Sequence, residues 1–247
     1  MEQVYRAEYA GHPVRYAFLN PSTRQHFKFW LKPVDGEEYD IKATPELVAR
    51  TLAHMPEENP EYYAEYKSLI LPTSAFLQQY CCSLLHAVAF LWHGRAWLLT
   101  APSGTGKTTQ FLNWRKLHPA EITMICGDMP VLELRDDGSV WVHASNWNGK
   151  EGVGSFQAAP LGGIVLLSQG KENRIVPLDA RQAIPALFEQ FVSTYETEEQ
   201  IRTVCALMDA MLSRYPAWKY TNLGDDASTE LLRAAIAKET GGNDGTV

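Results

Sequence analysis

The sequence predicts an α/β fold, a mixed sheet around a phosphate-binding loop with a small α+β segment before it. Three observations carry this. The apolar run Ala96-Trp97-Leu98-Leu99 has strand length. It is followed by Thr100-Ala101-Pro102-Ser103-Gly104-Thr105-Gly106-Lys107-Thr108-Thr109 and then by apolar residues at helical spacing up to Leu117. Just before it, His86 to Trp92 reads as a strand and His93-Gly94-Arg95 as a turn, so an antiparallel hairpin feeds the loop. The sheet is therefore not the all-parallel one of ordinary phosphate-loop folds. Finally, Ile122-Thr123-Met124-Ile125-Cys126-Gly127-Asp128 is an apolar strand that ends in a carboxylate.

Glycines between a strand and a helix are the context that a nucleotide phosphate loop requires. Gly104 and Gly106 let the backbone curl with its N–H groups turned inward around an anion. Lys107 supplies a positive charge for the β- and γ-phosphates, and Thr108 a hydroxyl for Mg²⁺. The helix N-terminus adds its dipole at the same point. Ser103, Thr105 and Thr109 complete the nucleotide-binding stretch. The strict pattern opens on glycine, and here the small residue Ala101 takes that place. Asp128 stands where a phosphate-loop enzyme puts its second Mg²⁺ ligand.

Composition narrows the class. A length of 247 residues suits one large α/β domain or a core with a small appendage, and a hydrophobic content of 45% is ample for its core. The net charge of −7, with no block of Lys or Arg, argues against nucleic acid or an anionic membrane as a partner. No apolar run reaches transmembrane length, and Met1 to Arg6 does not read as a signal peptide. Cys81, Cys82, Cys126 and Cys205 lack C-x-x-C spacing, so neither zinc nor a disulfide framework is expected. Buried free thiols in a reducing cytoplasm are the expectation.

In chain order, residues 1 to about 43 alternate in short pieces, Val4 to Tyr9 and Val14 to Phe18 among them, as a small antiparallel layer would. Thr44 caps a helix that opens at Pro45, and two more are expected near 60–70 and 73–84. His118-Pro119 ends the helix after the loop. Met129 to Leu134 and Ser139 to Ala144 flank Arg135-Asp136-Asp137-Gly138 as a second hairpin. Next comes a polar loop, Ser145-Asn146-Trp147-Asn148-Gly149-Lys150-Glu151-Gly152, in which Lys150 is a candidate phosphate or substrate contact. Strands are expected at 163–167, 174–178 and 217–223, and helices at 180–193, 196–214 and 226–238. The polar tail, 239–247, reads as disordered. Trp97, Trp114 and Trp141 fall on apolar-periodic positions of the core. His93, Asp136 and Asp137 fall in exposed turns.

These residues resemble a known family. His86, the hairpin, Ala101 to Thr108 and the strand ending in Asp128 look like the HPr kinase/phosphorylase catalytic domain, which shares the wider fold of ATP-dependent phosphoenolpyruvate carboxykinase. A histidine stands at the same offset before the loop there as His86 before Ala101. Asn146 to Lys150 and Asn173-Arg174-Ile175 also look like segments of HPr-kinase-like proteins. The resemblance spans roughly residues 84–180, more weakly to about 235, and residues 1–80 do not resemble the family's N-terminal domain. Two departures stand out. Met129 occupies the place of a second aspartate, and the family's later Gly-rich signature is missing, which argues against HPr itself as substrate.

The resemblance implies a mixed-sheet catalytic domain over 81–238 and an ATP- or GTP-dependent, Mg²⁺-requiring kinase. Its γ-phosphoryl group would pass to a hydroxyl, a serine of a protein or peptide or a small molecule. Lys107 would hold phosphate and Thr108 and Asp128 the metal, while Asp128 or His86 would take the hydroxyl proton. A homo-oligomer is compatible with this reading. The alternatives are a carboxykinase-like metabolic enzyme, and a nucleotide-dependent binding protein without transfer, in which Met129 marks lost catalysis.

Overall fold

The computed structural model describes residues 3–55, 59–149 and 154–240. Among these the chain forms a mixed α/β structure with seven α-helices and a mixed sheet. It divides into two compact units, Met1–Leu84 with Val192–Thr203, and Leu85–Phe191 with Val204 onward.

In the first unit, β1 (Val4–Tyr9) and β2 (His12–Ala17) form a hairpin whose turn residues Ala10 and Gly11 both have positive φ, 50° and 81°. That geometry matches the twist of the strands it joins. A 3-10 helix (Pro21–Trp30) follows, then β3 (Lys32–Val34) and β4 (Ile41–Lys42), giving the order β3-β1-β2-β4. Helix α1 (Pro45–Ala53) starts as its sequence dictates, with the Thr44 side chain accepting from the Leu47 amide and Pro45 in the first turn. The chain then forms α2 (Glu61–Ser68), α3 (Ile70–Leu77) and β5 (Cys82–Leu84). Glu65 is 1% exposed and accepts from the amides of Leu19 (2.7 Å) and Asn20 (3.0 Å) and from Thr23 Oγ1 (2.6 Å). This carboxylate ties α2 to the start of the 3-10 helix. Residues 192–203 join the unit through Val192, whose carbonyl accepts from Ser74 Oγ (2.6 Å) and whose amide donates to Leu84 (3.0 Å).

In the second unit, β6 (Ala87–Trp92) and β7 (Arg95–Thr100) form the expected hairpin, paired from Trp92 against Arg95 to Ala87 against Thr100. Then come α4 (Lys107–Leu117), β8 (Thr123–Cys126), β9 (Val131–Leu134), β10 (Val140–His143), β11 (Ala158–Gln169), β12 (Arg174–Pro177), α5 (Ala180–Phe188), α6 (Glu198–Arg214, which begins in the first unit), β13 (Ala217–Asn222) and α7 (Asp226–Glu239). The strands lie in the order β9-β10-β11-β7-β6-β8, with β13 beside β11 and β12 beside β13. The pairs of β11 with β7 and with β13 are parallel, and the remaining pairs are antiparallel. Trp92, Trp97, Phe111, Trp114, Trp218 and Tyr220 anchor the core, together with Leu232 and Ile236 of α7. Gly162 and Gly163 are required by close approach: a Cβ on either would lie within 2.8 Å of the Trp97 ring.

Several elements differ from the sequence expectations. The helix expected over 73–84 ends at Leu77, because Cys81 adopts a left-handed conformation (φ 54°) and Cys82–Leu84 is a strand. A short buried apolar run suits either element. The helix expected to reach 193 stops at Phe188, and Phe191 bridges Leu85 as sheet. β11 begins five residues before the expected 163, taking in Pro160 and Gly162. The segment to about residue 43, expected as a small antiparallel layer of short pieces, also contains the 3-10 helix. Trp141 is only partly buried, with the Arg135 guanidinium 3.7 Å over its ring. Cys81 and Cys205 are exposed, whereas Cys82 and Cys126 are buried. Lys150 and tail residues 241–247 lie outside the described residues. No described helix is long and apolar enough to cross a membrane.

Candidate functional site

The loop between β7 and α4 is shaped by two backbone conformations that side chains disfavour, φ 79° at Gly104 and φ 105° at Gly106. A Cβ on either glycine would meet no atom within 4 Å, so backbone geometry rather than crowding demands glycine, and the space beside the loop is open. Gly106 ends the loop and Lys107 begins α4. Ser103 and Thr109 are exposed, Thr108 in the first turn of α4 is half-buried, and Thr105 Oγ1 donates to the Pro102 carbonyl (2.8 Å). From β11, Gln169 Nε2 reaches the Gly104 carbonyl at 3.5 Å.

Lys107 is 7% exposed. Its ammonium donates to the carbonyls of Ala101 (2.7 Å) and Pro102 (3.3 Å) and lies 3.1 Å from His86 Nε2. Desolvation holds its pKa below the usual lysine range, and the charge of Asp128 opposes that shift. An ammonium can only donate, so Nε2 of His86 carries the lone pair and Nδ1 carries the proton. That proton goes to Gln190 Oε1 at 3.0 Å, and the Gln190 carbonyl takes the His86 amide at 2.8 Å. Gln190 thus grips the histidine at two points and sets its tautomer. Thr100 Oγ1 donates to the His86 carbonyl (2.9 Å), tying the start of the hairpin to the root of the loop.

Asp128 lies beyond the end of β8, its Oδ1 3.5 Å from His86 Nε2. Its carbonyl accepts from the Ala87 amide at 2.9 Å. The turn around it is stitched to the Ser145–Asn148 loop. The Gly127 amide donates to Asn148 Oδ1 (3.1 Å), the Met129 amide to the Trp147 carbonyl (3.0 Å), and Ser145 Oγ to the Met129 carbonyl (2.6 Å). Gly154 makes room for this, since a Cβ there would fall 2.2 Å from Asn148 Oδ1. Burial pushes the Cys126 thiol up, which suits a packed residue rather than a nucleophile.

The structure therefore gathers Lys107, His86 and Asp128 at the open glycine loop, with Thr108 one residue along α4. Helix α4 is fixed from the other side by α7. Gln110 Nε2 donates to Thr229 Oγ1 (3.0 Å) and Asn113 Nδ2 to the Gly224 carbonyl (2.9 Å). Arg233 clasps Glu121 at 2.7 and 2.9 Å. Sequence reasoning missed Gln190. It sits past the end of a helix, far along the chain from His86, and carries no motif.

No protein-family model matches the chain, and no curated protein matches it. Among solved structures, the HPr(Ser) kinase/phosphatase from Coxiella burnetii is similar at 10% sequence identity and a TM-score of 0.35. The match covers 64% of this chain and 93% of that one. It is a distant likeness of fold.

Proposed function

We propose that the chain is an ATP- or GTP-dependent, Mg²⁺-requiring kinase that passes the γ-phosphoryl group to a hydroxyl. The observation that carries this reading is the buried Lys107 ammonium. It sits at an open glycine loop, held by two carbonyls and one imidazole nitrogen, with Asp128 beside that same nitrogen. A phosphate oxygen would offer the ammonium a charged acceptor in place of neutral ones, and hydrogen bonds to charged groups are the stronger kind. Among the described residues no cluster of three or more His, Cys, Asp or Glu could hold a metal unaided. A metal here would be shared between Thr108, Asp128 and phosphate oxygens, as Mg²⁺ commonly is.

Bound Mg²⁺ would neutralise charge on the transferring group. The chain's own residues position and accept protons. Lys107, on turning to phosphate, releases the lone pair of His86 Nε2, the nitrogen that Gln190 leaves bare by holding the proton on Nδ1. The acceptor hydroxyl then gives its proton to Nε2 as its oxygen bonds to the γ-phosphorus, and the bond to the β-phosphate oxygen breaks to release the nucleoside diphosphate. Asp128 faces the imidazolium so formed and stabilises it. With Met129 in the place of a second aspartate, this division of labour leaves Asp128 free to bind metal. The test is transfer of label from γ-labelled ATP with Mg²⁺ to peptide and metabolite pools. Wild type should yield a labelled phosphoester and Asp128→Asn should not. Tight nucleotide binding with label only in free phosphate would favour a binding protein instead.

A further inference from the structure

We propose that the cleft bounded by β11, β12, β13 and α5 is the acceptor site, and that it takes a hydroxyl-bearing small molecule with an apolar body and one anionic group. The word acceptor rests on the kinase reading above; the binding chemistry does not. The cleft has a volume of about 480 Å³, within the range of small-molecule sites. Leu166, Val176, Leu178 and Ala186 give it apolar walls. Lys219 supplies its one charge, flanked by Ser168 and Gln182, and no acidic residue lines it.

The sheet register places this cleft on the side of the site. Thr100, Leu166 and Lys219 stand abreast on the parallel strands β7, β11 and β13, so their side chains share one face. The neighbouring residues Leu99, Val165, Trp218 and Tyr220 belong to the core beneath α4 and α7, so the Thr100 row faces the opposite side. Thr100 is bonded to the His86 carbonyl, and Gln190, just past α5, holds the His86 ring. The row that Leu166 and Lys219 share with Thr100, and the chain just past α5, thus both lead to His86. With strands about 4.8 Å apart, the Lys219 backbone lies about 10 Å from that of Thr100. An anion at Lys219 and a hydroxyl at His86 therefore require an elongated molecule rather than one of two or three carbons. A cationic ligand would set its charge against the lysine, and a neutral one would leave the lysine unused.

The test uses the full chain, isotope-labelled for NMR titration, with three probes of one length: ω-hydroxyoctanoate, octanediol and the matching amino alcohol. The hydroxy acid should bind most tightly and shift the signals of Leu166, Val176 and Ala186. Its affinity should fall about fivefold or more in Lys219→Glu, a reversal of one exposed charge, and be lost in Ala186→Trp, which fills the cleft. Thermal unfolding and Mg-ATP affinity should match wild type in both variants. Equal binding of all three probes, or equal binding by wild type and both variants, would overturn the proposal. So would loss of Mg-ATP affinity in either variant, since the cleft would then belong to the nucleotide. Failure of every form to bind Mg-ATP would remove the kinase reading, while the probes would still decide the cleft.

Discussion

Two charged side chains are buried among the described residues, Glu65 in the first unit and Lys107 in the second, and they are held in opposite ways. Glu65 takes two backbone amides and a hydroxyl, all at 3.0 Å or less, and serves to fix one loop to one helix. Lys107 gives its protons to two carbonyls and an imidazole, and burial lowers its pKa. The carboxylate is a joint between one helix and the turn before another. The ammonium, in the reading proposed above, is a charge kept on neutral partners that a phosphate would displace. Burial by itself therefore does not separate structure from function; the exchangeability of the partners does.

The largest effect expected from this contrast is on stability. Glu65→Ala should cost on the order of 1–3 kcal/mol, because the buried Thr23 hydroxyl and the part-buried amides of Leu19 and Asn20 lose their acceptor. Urea unfolding measures it, and Mg-ATP affinity should not change. A loss below about 1 kcal/mol would mean that the joint is dispensable and the contrast weak.

A smaller effect separates holding from reacting. Gln190→Leu removes the acceptor of the His86 Nδ1 proton, a neutral hydrogen bond worth about 1 kcal/mol, so turnover should fall about fivefold with Mg-ATP affinity unchanged. Gln190→Glu, which keeps an acceptor, should restore most of it. Unchanged turnover in Gln190→Leu would show that the tautomer is set elsewhere.

The smallest effect is a pH slope in the first unit. His26 lies among the rings of Tyr62, Tyr63 and Tyr66, and burial, then the charge of Lys67, lowers its pKa. The folded chain thus binds this proton less readily than the unfolded chain. Stability is full above the unfolded value of about 6.5 and falls as pH drops from there through the lowered folded value. His26→Phe should flatten that part of the stability–pH curve in denaturant titrations, and an unaltered slope would assign it to other groups.

The hairpin and the glycine loop were legible in the sequence because each rests on local signals, a two-stranded apolar pattern closed by His93-Gly94 and glycines where φ must be positive. The register of that hairpin sets Ala87 opposite Thr100, which brings His86 to the root of the loop and within 3.1 Å of the Lys107 ammonium. Gln190 was not legible. Its contact is made across the fold by a residue type that occurs in any loop. The return of residues 192–203 to the first unit likewise depends on single hydrogen bonds such as that of Val192 with Ser74, which leave no periodic trace. β11 starts earlier than the expected 163 because the Trp97 ring lies against Gly162 and Gly163, a contact made across the fold that leaves no local trace in the sequence.

The most direct test is calorimetric titration of Mg-ATP into wild type and Lys107→Ala. A charge-assisted hydrogen bond is worth about 1.5–3 kcal/mol, so the variant should bind about tenfold more weakly or worse while keeping its fold. Equal affinity in the two proteins would mean that the buried ammonium does not meet the nucleotide, and would contradict the assignment of the glycine loop as its phosphate site.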